Sequence, residues 1–282
     1  MYKVVLVTAG KPQSNYLALF KNDLIEIVGV IDINEPGFLK SFQGVKVYSN
    51  LKEIKVRIDY VFITKSDCIT FMLAKEVLEL GYNVLFDKLV TLDKSEFNKL
   101  LTLANQNNLK LKTVYPYLYA KEIVELEDHL ELNQINHITI SFKDKKVTNL
   151  FDQLIDIFSY LYRFMYLKDL ELESVFHLKD EKGNIIYLDL NYQYKGISIE
   201  IELEITKHSS HKISKFNLKD DTSIKVIHNR QLVNVDGSIY QYPYKDRIKE
   251  LYLDISENIF EMFQSNMMVE IHNKLFEVLK ET

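Results

Sequence analysis

The sequence predicts an α/β protein: an N-terminal parallel sheet with interleaved helices, then a C-terminal α+β domain built on a mostly antiparallel sheet. Three observations carry this. Over the first 115 or so residues, short runs that are apolar throughout alternate with segments of helical spacing. After about residue 117 that rhythm stops. From 171 to 241, turn signals separate segments that read as antiparallel strands. Strands apolar on both faces and alternating with helices need cover on both sides of the sheet, which is the parallel arrangement; strands apolar on one face leave the other wet.

The elements follow in order. Residues 3–7 are an apolar run ending in Thr8-Ala9-Gly10, residues 13–21 can form a helix, and 26–31 are a second run stopping at Asp32. Further runs fall at 45–48, 59–64, 83–86 and 110–114, with helical spacing at 69–80 and 94–106 and Gly81 placed to end the first of these helices. Beyond 117 come a helix at 118–131, a strand near 136–143 and a strongly apolar helix at 150–166. Strands are expected at 173–178, 185–193 and 197–206, with turns at Lys182-Gly183-Asn184, Lys195-Gly196 and Asp236-Gly237. Strand 197–206 alternates cleanly. Ile197, Ile199, Ile201, Leu203 and Ile205 fall on one face, and Ser198, Glu200, Glu202 and Glu204 on the other. Helices near 246–264 and 267–280 end the chain, and the domains are expected to span 1–117 and 118–282.

Composition narrows the function. The formal net charge of the 282 residues is −5, with both signs spread along the length, so no basic face is predicted for nucleic acid. No stretch of 18 apolar residues occurs and the N-terminal apolar run is short, so neither a membrane span nor a signal peptide is expected and the chain reads as cytoplasmic. A single cysteine, Cys68, excludes an internal disulfide framework and has no neighbours at metal-ligand spacing.

The strand-to-helix turn after the first run is where a dinucleotide fingerprint would sit. Such a loop uses one glycine for the tight turn, one for close approach to pyrophosphate and one for helix packing. Here the three slots read Thr8, Gly10 and Gln13. Gly10 preserves close approach, Thr8 and Ser14 offer hydroxyls, and Pro12 removes a backbone donor. The loop reads either as a pyrophosphate site or as a structural turn. Asp32, ending the second strand about 20 residues on, is placed to accept from ribose hydroxyls and to repel a 2′-phosphate, which favours NAD over NADP. Lys11 is a local counter-charge, and the competing reading of Asp32 is a turn residue.

The run Asn83-Val84-Leu85-Phe86-Asp87-Lys88-Leu89-Val90-Thr91, preceded by Leu78-Glu79-Leu80-Gly81-Tyr82, resembles the Glu-Lys-Pro strand of the Gfo/Idh/MocA oxidoreductases, with Asp87-Lys88-Leu89 in place of that motif. Val28-Gly29-Val30-Ile31-Asp32, Tyr48-Ser49-Asn50-Leu51-Lys52-Glu53-Ile54 and Asp59-Tyr60-Val61-Phe62-Ile63-Thr64 fall in the same order as in that family. The resemblance implies a Rossmann-type domain holding NAD, with Thr8, Gly10, Lys11, Asp32, Thr64, Asp87 and Lys88 at the cofactor. It also implies that Lys88 stands beside the nicotinamide and the substrate hydroxyl, where a desolvated lysine assists proton transfer. A lysine merely ending the strand would be a solvated charge.

The family further places a carboxylate and a histidine four residues apart on a helix facing substrate. The similar segment here, 148–161, has Asn149 and Gln153 at those positions. Neither amide titrates, so the pair cannot move a proton, although it can hydrogen-bond a sugar hydroxyl. Asp152 and Asp156 keep one helical face acidic and read as a solvated edge or as substitutes. His208 and His211 read as a polar turn rather than a metal pair, and Tyr115-Pro116-Tyr117-Leu118-Tyr119 as a pocket wall or as packing.

The resemblance therefore implies an NAD(P)-dependent oxidoreductase acting on a small sugar or polyol-like substrate, with ligand at the carboxyl ends of the parallel strands between the domains. The alternative is a family member without redox turnover that binds a nucleotide, a sugar or a protein partner. A homo-oligomer through the second sheet is possible only if lysines offset the acidic face that carries Glu200, Glu202 and Glu204.

Overall fold

The computed structural model describes residues 2–8, 25–32, 45–64, 68–87, 91–119, 121–127, 130–145, 149–230, 232–241 and 265–282. The chain divides into two compact units, Met1–Tyr115 with Leu251–Met268, and Pro116–Glu250 with Val269–Thr282.

The first unit is built on six parallel strands: β1 (Tyr2–Thr8), β2 (Ile25–Asp32), β3 (Val47–Tyr48), β4 (Tyr60–Ile63), β5 (Asn83–Asp87) and β6 (Leu111–Val114). Their order is β3-β2-β1-β4-β5-β6, so the winding reverses between β1 and β4. The all-apolar runs are the buried strands. Val4, Val5, Leu6 and Val7 and all of Tyr60–Ile63 are buried, as expected for a sheet covered on both faces. Helix α1 (Cys68–Glu79) turns Ala74, Val77 and Leu78 inward, and α2 (Lys94–Gln106) turns in Phe97, Leu100 and Ala104. The Asp93 carboxylate caps α2 by accepting from the Ser95 and Glu96 N–H groups at 2.7 and 3.0 Å. Both helices fall where the 3.6-residue spacing predicts them.

The second unit carries an eight-stranded sheet, ordered β14-β13-β12-β11-β7-β10-β9-β8. Its strands are β7 (Ile135–Asp144), β8 (Glu171–Lys179), β9 (Ile185–Tyr194), β10 (Ile197–Ile205), β11 (His211–Leu218), β12 (Ser223–Ile227), β13 (Leu232–Val235) and β14 (Ser238–Gln241). Only β7 and β10 pair in parallel. The turns behave as read: Lys195 and Gly196 have φ of 50° and 85°, and Asp236 and Gly237 have 45° and 87°, the paired left-handed values that fit tight hairpins.

Three helices complete the described elements: α3 (Lys121–Glu127), α4 (Leu150–Phe164) and α5 (Ser265–Glu281). The expected helix at 118–131 is shorter than predicted. Pro116–Tyr119 is a 3₁₀ turn and α3 starts only at Lys121. The Leu118 carbonyl accepts from the Arg163 guanidinium, a tertiary contact that the local helical spacing does not encode. The predicted helices at 13–21 and 246–264 lie outside the described residues.

The alternating strand is confirmed face by face. Ile199, Ile201 and Leu203 are fully buried, while Glu200 is exposed and Glu202 and Glu204 are half-buried. A lysine does intervene on the acidic face: Lys143 Nζ lies 2.8 Å from Glu202 and 2.9 Å from Glu204. The two carboxylates push the Lys143 ammonium up to about 12. Among the described residues, no helix is long and apolar enough to cross a membrane.

Candidate functional site

In the first unit the parallel strands bring their last residues to one edge. Thr8, 2% exposed, ends β1 directly opposite Asp32 at the end of β2. Thr64 follows β4, and both its N–H and its hydroxyl donate to the Val7 carbonyl, at 3.1 and 3.4 Å. Asp87 ends β5 opposite Val114 of β6. The backbone thus gathers Thr8, Asp32, Thr64 and Asp87, four of the residues read from sequence, at the carboxyl edge. Gly10, Lys11 and Lys88 lie outside the described residues.

In the second unit the site elements come from α4. Asn149 is its N-cap, with Oδ1 accepting from the Phe151 N–H at 2.9 Å, so its carbonyl oxygen is committed to the helix. Gln153 is 1% exposed, and among the described residues neither its Nε2 nor its Oε1 has a hydrogen-bond partner. Leaving a buried donor or acceptor unmade costs about 1–3 kcal/mol, and Gln153 leaves both. Asp156 is 2% exposed, which corrects its reading as part of a solvated edge; Asp152 is half-buried. The expectation of a wet face failed because α4 is buried nearly all round from Leu150 to Leu161.

Asn149, Gln153, Asp156, Tyr160 and Arg163 are spaced to form one stripe along α4. Its far half is tied down. The Tyr160 hydroxyl bonds Ser214 Oγ at 2.8 Å, Ser214 Oγ bonds His228 Nε2 at 2.8 Å, and the His228 ring turns Nδ1 toward Glu122 Oε1 at 3.9 Å. All four side chains are 0–1% exposed. Burial pushes the Tyr160 phenol well above its ordinary range, so it stays protonated. Sequence reasoning missed this network, because its members come from α3, α4, β11 and the turn after β12, with no shared spacing.

His211, which the sequence places in a polar turn, instead starts β11. Its Nε2 lies 3.3 Å from Ser141 Oγ, and among the described residues no group of three or more His, Cys, Asp or Glu could hold a metal. Tyr115 is 1% exposed in the first unit, and Tyr117 packs edge-on to His228 in the second, with ring centroids 5.7 Å apart.

Residues 2–115 match the family described as Gfo/Idh/MocA, the oxidoreductase family with an NAD-binding Rossmann fold. No curated protein sequence matches the chain. Among solved structures, a dehydrogenase from Clostridium difficile is similar with a TM-score of 0.82 and 17% identity, over 100% of this chain and 99% of that one. A 3-ketoreductase from Actinomadura kijaniata, solved with TDP-benzene and NADP, gives 0.80 at 13% identity over 100% and 96%. A UDP-N-acetylglucosamine 3-dehydrogenase from Acidithiobacillus ferrooxidans gives 0.80 at 12% identity over 99% and 97%. The match to this oxidoreductase family model thus falls on residues 2–115, the segment that carries the six parallel strands.

Proposed function

We propose that the protein is an NAD-dependent oxidoreductase on a sugar or polyol-like substrate, in which an amide replaces the usual titratable group on α4. The observation that carries this reading is Gln153, a side chain held at 1% exposure with both polar ends unmade. A fold tolerates that cost where a ligand supplies the missing partners. The amide offers one donor pair and one acceptor, and a hydroxyl group answers both. The donor set of the first unit fits a dinucleotide. Asp32, at the end of β2 opposite Thr8 of β1, suits the ribose hydroxyls, and Gly10 in the loop that follows β1 lets backbone approach the pyrophosphate.

A bound nicotinamide would supply or accept the hydride. Proton transfer then falls to Lys88, since Asn149 and Gln153 can only orient. NAD is preferred because the Asp32 carboxylate repels a 2′-phosphate. The relatives solved with TDP-benzene and NADP, or named for a UDP-sugar, support the substrate class, while the NADP complex is an argument against the NAD preference that titration decides.

The alternative without redox turnover is favoured by three losses taken together: the glycine loop, where Thr8 and Gln13 stand; the motif proline, replaced by Leu89; and the carboxylate–histidine pair, replaced by Asn149 and Gln153. One experiment separates the two. The purified chain is incubated with NAD and a panel of aldoses, polyols and nucleotide sugars, and nicotinamide absorbance is followed. Turnover that Lys88→Ala abolishes while leaving NADH affinity intact supports the enzyme. Binding of NADH without turnover on any of the panel supports the silent reading, and equal loss of turnover and NADH affinity in Lys88→Ala makes Lys88 structural.

A further inference from the structure

The buried hydrogen-bond chain Tyr160–Ser214–His228 has one consistent direction, and the direction has consequences for α4. Ser214 Oγ stands 2.8 Å from both the Tyr160 hydroxyl and His228 Nε2. Among the described residues, no other acceptor is within hydrogen-bond reach of the Tyr160 or Ser214 hydroxyl. The tyrosine and serine protons must therefore both be placed within this chain. If His228 Nε2 carried a proton, it would donate to Ser214. Either the serine proton would then go to Tyr160 and leave the phenol proton without an acceptor, or the tyrosine would donate and leave the serine proton without one. Only one arrangement uses both: Tyr160 donates to Ser214, Ser214 donates to His228 Nε2, and the imidazole carries its proton on Nδ1. That proton faces the Glu122 carboxyl at 3.9 Å.

The surroundings hold the ring in this orientation. Tyr117 and Phe142 meet the His228 ring edge-on, with centroids 5.7 and 5.2 Å away, and Tyr160 lies against it at 5.4 Å. Lys212, two residues before Ser214 on β11, places its ammonium over the Tyr117 and Phe142 rings and 3.6 Å from Asp144. The groups facing the imidazole among the described residues are thus Glu122 from α3, Ser214 from β11, Tyr160 from α4, and Tyr117 and Phe142 with the Lys212 charge behind them.

We infer that His228, in its neutral Nδ1–H form, is a positioning residue for α4: through Ser214 it orients Tyr160, and so fixes the rotation and axial setting of the stripe that carries Gln153. Tyr160 sits two helical turns from Gln153 on the same stripe, so a slide or rotation at one is transmitted to the other by the rigid helix. The Arg163 guanidinium, one turn further on, holds the Leu118 carbonyl and limits the same motion. This inference rests on reading Gln153 as a ligand-binding group, but its test does not require that ligand.

The test has two readouts on the full chain. Long-range proton–nitrogen spectra of the histidine rings, with His228 assigned by its absence in His228→Gln, report which ring nitrogen carries the proton. At neutral pH the expected pattern is Nδ1 protonated and Nε2 bare. A protonated Nε2, alone or together with Nδ1, overturns the relay. The second readout is the side-chain NH₂ signal of Gln153 in chain labelled with ¹⁵N-glutamine. Tyr160→Phe deletes only the hydroxyl and should move that signal, as should Ser214→Ala. His228→Gln, whose amide can accept from Ser214 and donate toward Glu122, should return it close to the native position, while His228→Leu should not. A Gln153 signal unmoved in Tyr160→Phe, or moved equally in the Gln and Leu variants of His228, overturns the positioning role. If instead the relay behaves as stated and Gln153→Ala leaves substrate response intact, the relay stands and the ligand reading of Gln153 falls.

Discussion

Gln153 sets a conflict between stability and function in a single side chain. With both ends of its amide buried and unmade, it costs the folded state about 1–3 kcal/mol per polar group relative to a satisfied or apolar residue. Leucine is close to it in volume and has nothing to satisfy. Gln153→Leu should therefore raise the midpoint of urea unfolding in the absence of ligand, by an amount worth roughly 2–6 kcal/mol for the two groups together, and remove any response to substrate. A midpoint that falls would mean the amide is satisfied in solution. Asn149 behaves differently: because Oδ1 caps α4, Asn149→Ala should cost about 1 kcal/mol of stability, and Asn149→Asp, which keeps the cap, should recover most of it in the same urea titration. The sequence located both positions and put the helix start at 150, but did not show the packing around α4 that leaves the Gln153 amide buried and unmade, because distant segments supply it.

At the level of elements, the strands and helices were legible where the pattern is local. The span of α2 follows from the helical spacing of Phe97, Leu100 and Ala104, and β10 follows from its alternation. The 3₁₀ turn at Pro116–Tyr119 and the parallel pairing of β7 with β10 were not legible, because tertiary contacts from Arg163 and the crossover between distant strands decide them. Two elements give tests. Gly29 in β2 lies against Tyr48: a Cβ there would meet the ring at 2.8 and 2.9 Å, so Gly29→Ala should cost about 1 kcal/mol by overpacking, read as a lowered melting temperature. On the outer face, Lys143 stabilises Glu202 and Glu204. Its folded value near 12 is above the ordinary 10.5, so its contribution is complete below that ordinary value and fades as pH rises through about 12. Glu202, although burial raises it, is held below its usual range by Lys143 and Ser141, so its share is present at neutral pH and is lost as pH falls through the lowered value. Lys143→Met should therefore cost up to about 1 kcal/mol near neutral pH, the cost shrinking in acid, in strong alkali and in high salt; a cost independent of pH and salt would make the lysine a packing residue.

For the whole molecule, the parallel-sheet unit and the sheet of the second unit were both predicted from rhythm alone, whereas the polar network around His228 was invisible because four distant segments supply it. The family match over residues 2–115 makes the nucleotide question primary: one strand edge gathers Thr8, Asp32, Thr64 and Asp87, which we propose face a dinucleotide, yet the loop keeps only Gly10 of the three fingerprint glycines. The most direct measurement is a titration of the full chain with NADH and, separately, NADPH, followed by nicotinamide fluorescence. The account predicts saturable binding of NADH, weaker binding of NADPH, and loss of that preference in Asp32→Ala. No saturable response to either nucleotide up to millimolar concentration would contradict it.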